Sequence, residues 1–179
     1  MARTLLLLRH AKSSWDDPAL ADFDRPLAQR GREAAPRMGR ELARRGWLPD
    51  LALVSPSLRT RQTWALVAPE LPRAVPVAFE DAIYEAPAER ILAAIRAVPD
   101  AVAALLVVGH NPGFEDLAAM LAGKDSDAEA LARMRRKFPT AALARLSVEG
   151  GWAGLGPGGA TVTDFLMPRA LMPRDGDGR

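Results

Sequence analysis

Two short, unbroken apolar runs constrain this chain more than any other feature. Thr4 to Leu8 leads into Arg9-His10, and Val102 to Val108 leads into Gly109-His110. A strand with one wet face alternates apolar and polar residues, whereas an unbroken run of strand length is apolar on both faces. Both faces must then be covered, and helices on either side of a sheet do this. Leu51 to Val54, stopped by Ser55-Pro56, reads the same way, and Val75 to Phe79 is a further strand. Ala141 to Val148 and Thr161 to Leu166 are late strands joined by the glycine-rich stretch from Gly150 to Gly159.

Helical patterns lie between the strands. Phe114, Leu117, Ala118 and Leu121 recur on one helical face, with Asn111 as N-cap and Pro112 at the first helical position. Ser57 is placed to cap a helix running to about Val67. Residues 28–45 have helical composition, with Pro36 expected to kink or restart the helix. Residues 88–98 and 128–137 complete the set. Strand alternating with helix predicts a single-domain, three-layer α/β/α fold with a mostly parallel central sheet. The 179 residues fit one domain. It is expected over residues 1–168, with 169–179, rich in Asp, Gly and Arg, as a flexible C-terminal tail.

Composition narrows the function classes. There is no cysteine, so a disulfide framework, a thiolate metal site and a cysteine nucleophile are excluded together. The 24 basic residues nearly balance the 22 acidic ones and are spread along the chain. That argues against nucleic-acid binding, which calls for a basic stripe. No apolar run approaches a membrane span. The start resembles a signal peptide only superficially, because its apolar stretch stops at Arg9-His10 with no small-residue cleavage site. The expected protein is cytoplasmic, without membrane partners, and a monomer or weak dimer.

The chain has two histidines, and each follows a predicted buried strand. Ligands of open α/β sheets bind beyond the carboxyl ends of the strands, so His10 and His110 are expected to meet there. Arg9 is a candidate phosphate clamp, because a guanidinium presents a planar fork to phosphate oxygens. Arg59 falls in the first turn of the helix after Ser57, where the macrodipole is already positive. A cation there is tolerable if it and the helix end serve one anion. Arg61 lies off that face and reads as surface.

Three motifs in order then resemble the histidine phosphatase superfamily: Leu8-Arg9-His10-Ala11-Lys12, Ser55-Pro56 with Arg59-Thr60 and Gln62-Thr63, and Val108-Gly109-His110-Asn111-Pro112. The run Arg9 to Trp15 followed by Asp24-Arg25-Pro26-Leu27 is similar, more narrowly, to the SixA-like phosphohistidine phosphatases. The resemblance runs from Leu5 to about Pro168 and implies a phosphoglycerate mutase-like fold. It also implies that His10 is a nucleophile that becomes transiently phosphorylated, with Arg9, Arg59 and His110 completing a phosphate pocket. Lys12 is a further phosphate-binding candidate. A histidine with one ring nitrogen held and the other free is a competent nucleophile near neutral pH.

Two departures from the broader superfamily stand out. Ala11 follows the nucleophile where glycine is usual, as in the SixA-like subset. The general acid, usually a glutamate in mid-chain, is matched best by Glu85 in Ile83-Tyr84-Glu85-Ala86, with Asp16, Asp17 and Asp24 as rivals. The expected substrate is a phosphorylated protein carrying phosphohistidine. The alternatives are a small phosphate ester, as for a phosphomonoesterase of the same superfamily, and non-catalytic binding of a phosphorylated ligand. No cofactor is expected. A metal site at His10 and His110 is disfavoured because the neighbouring residues are arginines and no His-Glu-x-x-His pair exists.

Overall fold

The computed structural model describes residues 1–171. Six strands, β1 (Ala2–Arg9), β2 (Leu51–Val54), β3 (Val77–Phe79), β4 (Ala104–Gly109), β5 (Leu143–Glu149) and β6 (Ala160–Leu166), form one sheet in the order β3-β2-β4-β1-β5-β6. β1, β2, β3 and β4 run parallel, and β5 runs antiparallel to both its neighbours. The helices are α1 (Gln29–Arg45), α2 (Leu58–Val67), α3 (Ala88–Arg96), α4 (Gly113–Leu121) and α5 (Ala128–Arg136).

The apolar runs lie in the middle of this sheet. Leu5 to Leu8 and Leu105 to Val108 are all fully buried. Strand periodicity divides them between two cores. Leu5, Leu7, Leu105 and Val107 pack with Ile91 and Ile95 of α3, Phe114 and Leu117 of α4 and Met134 of α5. Leu6, Leu8, Leu106 and Val108 pack on the other face with Met38 and Leu42 of α1 and Trp64 and Val67 of α2. Unbroken apolar sequence thus becomes a three-layer fold.

Several local expectations need correction. Pro36 neither kinks α1 into two elements nor restarts it, and the helix runs on past it. Its buried face, Gly31, Ala35, Met38, Gly39 and Leu42, holds the segment together across the lost backbone bond. Ser57 stands at the N-cap of α2 but makes no capping bond, because its hydroxyl is engaged with Thr60 Oγ1 at 2.7 Å. α4 begins at Gly113, one residue beyond Pro112, while the Asn111 side chain still accepts from the Glu115 amide at 3.2 Å. β3 starts at Val77 and β4 at Ala104, two residues later than expected in each case. In place of Val102 pairing in the sheet, its carbonyl accepts from Trp152 Nε1 at 2.8 Å.

α1 ends at Gly46, whose φ of 68° turns the chain into the left-handed region that glycine tolerates. Residues 168–171 form a short 3-10 turn. The remainder of the expected tail, 172–179, lies outside the described residues. Among the described residues no helix is long and apolar enough to cross a membrane.

Candidate active site

The register of β1 against β4 builds the site. Leu8 pairs with Val108 and Arg9 with Gly109, so His10 and His110 leave the sheet at the same level. The His10 amide continues the ladder to the Gly109 carbonyl at 2.9 Å. The two rings lie 5.4 Å apart between centroids, tilted by 56°. Residues a hundred positions apart therefore meet because two adjacent parallel strands end together.

His10 is 7% exposed, and its Nδ1 lies 2.8 Å from the Ala11 carbonyl oxygen. A carbonyl only accepts, so Nδ1 carries the proton and the Nε2 lone pair is left available. Burial pushes the ring's pKa down to about 3, opposed by the Ala11 bond and assisted by the charges of Arg59, Arg9 and Arg25. His10 is therefore neutral around pH 7. The loop beyond it is tied to α2: the Ala11 amide donates to Thr63 Oγ1 at 3.0 Å, and the Leu27 amide to Gln62 Oε1 at 2.8 Å.

His110 has the opposite tautomer. Its Nδ1 faces Arg59 Nη2 at 3.2 Å and its Nε2 lies 2.7 Å from Ser55 Oγ. Arginine only donates, so Nδ1 accepts and Nε2–H donates to the serine. Burial, then the neighbouring His10 and Arg59, lower its pKa to about 3.

Arg59 is 1% exposed, reaching the site from the first turn of α2. Its Nη1 donates to the Asp22 carbonyl at 2.8 Å. Nη2 donates to Asp22 Oδ2 at 3.0 Å and Glu85 Oε1 at 2.7 Å. Arg9 donates through Nη1 to the Phe138 carbonyl at 2.9 Å. The Nε groups of both arginines are buried without a partner among the described residues. Two guanidinium groups with unspent donors and two neutral imidazoles suit an anion with several oxygens. Among the described residues no cluster of three or more His, Asp or Glu side chains could hold a metal.

The structure thus brings Arg9, His10, Arg59, His110 and Glu85 together. Glu85 holds a φ of 49°, a left-handed conformation uncommon for a residue with a side chain, and its Oε1 lies 3.7 Å from His110 Nδ1. Lys12 does not join them: its side chain is exposed and makes no hydrogen bond or ion pair among the described residues. The rival acids also lie elsewhere. Asp17 caps its own turn through the Ala19 amide, and neither Asp16 nor Asp24 bonds a pocket residue through its carboxylate. Arg61 is exposed, as expected for a surface residue.

Sequence reasoning missed Asp22 and did not assign Arg25, Ser55 or Tyr84 a role. Arg25 is buried and links Ser13 Oγ at 2.9 Å to Asp22 Oδ1 at 3.1 Å, with the exposed Trp15 ring stacked 3.5 Å from its guanidinium. Tyr84 donates its hydroxyl to Asp22 Oδ2 at 2.6 Å and sets its ring edgewise to His110. A loop has no periodicity to expose such partners. The one usable signal was an arginine in Arg25-Pro26-Leu27, three residues after an acid.

Residues 5–91 match the model of the histidine phosphatase superfamily (branch 1). An uncharacterized protein of Mycobacterium tuberculosis is 39% identical over 169 residues, covering 90% of this chain and 100% of that protein. Two solved structures of candidate SixA phosphohistidine phosphatases are similar throughout. The Nakamurella multipartitia protein is 35% identical with a TM-score of 0.81, covering 94% of this chain and 97% of that one. The Agrobacterium tumefaciens protein is 32% identical with a TM-score of 0.78, covering 93% and 98%.

Proposed function

The chain belongs to the histidine phosphatase superfamily and is a phosphatase, and from this we propose that it removes phosphoryl groups from phosphohistidine on proteins, with His10 as nucleophile. The observation that carries the reading is the polarised His10 ring. Nδ1 is held by the Ala11 carbonyl at 2.8 Å, and burial keeps the ring neutral. Its Nε2 attacks phosphorus in line as the bond to the substrate imidazole breaks. The departing imidazole takes up a proton, and water then hydrolyses phospho-His10 to inorganic phosphate. Phosphoryl transfer needs mainly positioning and charge stabilisation, which Arg9, Arg59 and His110 supply. An arriving phosphoryl dianion favours a protonated His110, turning Nδ1 from acceptor into donor.

Glu85 is the proposed proton donor, since its carboxylate reaches the pocket, with Oε1 2.7 Å from Arg59 Nη2 and 3.7 Å from His110 Nδ1. The candidate SixA relatives support phosphohistidine as the substrate class. So does the rim, where Trp15, stacked on Arg25, is 70% exposed and Phe23, edge-on to Tyr84, offers further apolar surface to a protein partner.

Rapid quench with a radiolabelled phosphohistidine peptide tests the mechanism. The wild type is expected to trap acid-labile, base-stable label. His10→Ala abolishes trapping and turnover, while His110→Ala slows turnover yet still labels. A wild type that turns over without trapping label under any quench would replace His10 with direct attack by water. Sugar phosphates and an aryl phosphate run alongside decide the substrate class.

A further inference from the structure

Arg59 Nη2 has more acceptors than protons. An amino group of arginine carries two hydrogens. This one meets Asp22 Oδ2 at 3.0 Å, Glu85 Oε1 at 2.7 Å and His110 Nδ1 at 3.2 Å. A phosphoryl oxygen joining Nη2 competes with these carboxylates for its two protons.

The two carboxylates are anchored differently. Glu85 makes no side-chain hydrogen bond besides the one from Arg59 among the described residues, and its backbone sits at a φ of 49°. Asp22 is held from three sides. Its Oδ1 accepts from Arg25 Nε at 3.2 Å and Nη2 at 3.1 Å, and its Oδ2 accepts from the Tyr84 hydroxyl at 2.6 Å. Arg25 is itself buried and fixed to Ser13 Oγ at 2.9 Å and the Ser14 carbonyl at 3.2 Å. Glu85 is therefore the group that yields, and Asp22 is the one that stays.

Asp22 then remains as a fixed negative charge against the bound phosphate. Burial opposes that charge, but the Tyr84 hydroxyl and the Arg59 and Arg25 guanidinium groups overcome it and hold the carboxyl at about 2. An acid ionised across the neutral range does not serve as proton donor. Two acceptors on one amino group lie roughly 5 Å apart, close enough for like charges to weaken binding at a partly buried site.

Building on the phosphate pocket read above, we propose that Asp22 is a positioning residue that aims Arg59 and also competes with phosphate for it, so that inorganic phosphate is released. Arg25 is what keeps this competitor in place. The charge costs affinity for substrate and product alike, and its benefit appears where product release limits turnover.

Titration of the full-length protein with inorganic phosphate, beside product-inhibition kinetics, decides the point. Asp22→Asn is expected to tighten phosphate binding about tenfold. It should also lower kcat while leaving kcat/KM equal or higher. Asp22→Ser removes the same charge and should also tighten binding, which keeps the test alive if one variant folds poorly. Asp22→Glu restores the charge and should bind phosphate less tightly than either neutral variant. Unchanged or weaker phosphate binding in both neutral variants overturns the inference, as does equal tightening in Asp22→Glu. Arg59→Ala separates the two levels. If it fails to weaken phosphate binding, the pocket itself is wrong and the role of Asp22 falls with it. If it weakens binding while the neutral Asp22 variants do not tighten it, only the role of Asp22 falls.

Discussion

The two histidines of the chain both lie in the site, and this makes the acid sensitivity of the fold calculable. His10 is 7% exposed and His110 3%, and burial holds each near a pKa of about 3. In the unfolded chain the value is about 6.5. The folded value is the lower one, so the unfolded chain takes up protons first as the pH falls. Stability is then complete above about pH 6.5 and is lost progressively below it, towards the folded value of about 3. Between about pH 7.5 and about pH 5.5 each ring accounts for about 1.4 kcal/mol, or about 3 kcal/mol for the pair. Carboxylates contribute little in that window. Asp22 and Glu41 are held at about 2, and unfolded acids titrate near 4. Urea unfolding followed by tryptophan fluorescence at the two pH values measures the difference directly. His110→Gln should roughly halve it, because one of the two protonation sites is gone. A wild type equally stable at both pH values, or a His110→Gln variant with the full dependence, would refute the claim that these rings are buried neutral.

Three further substitutions probe the site and its support. Arg59→Ala should lower kcat/KM by roughly 10²–10³, the scale for removing one preorganised donor from a transition-state charge, while the exposed Arg61→Ala stays close to wild type in the same assay. Gly31→Ala would set a Cβ 2.2 Å from the Lys12 carbonyl oxygen, where α1 presses on the loop after His10. It should cost about 1–3 kcal/mol in urea unfolding and reduce turnover as that loop shifts.

The parts of this protein legible in its sequence are those written as repeating local pattern. Thr4 to Leu8 and Val102 to Val108 read as strands covered on both faces, and the helical spacing around Phe114 reads as a face turned to a core; Leu5 to Leu8, Leu105 to Val108 and Phe114 are indeed fully buried. From these came the layers, the parallel sheet and the place where the strands end. His10 and His110 stood out because each follows such a strand, and Arg59 because a cation at a helix start needs an anion nearby. Local chemistry was a weaker guide where packing opposed it. Pro36 signals a break, yet the buried face of α1 carries the helix through, and Ser57 signals a cap, yet Thr60 takes its hydroxyl.

What tertiary structure alone decided is which polar side chains meet. The β1–β4 register put the two histidines 5.4 Å apart, and no spacing in the chain encodes that distance. Glu85 was preferred to Asp16, Asp17 and Asp24 from the family resemblance, but its contact with Arg59, and Asp22 altogether, emerge only when loops fold back on that guanidinium. Loop residues carry no period, and one acidic residue in a polar segment looks like another until its neighbours are fixed. Sequence determines what must be buried. The partners of a charge, and hence its pKa and its role, are set only when distant segments are brought into one low-dielectric space.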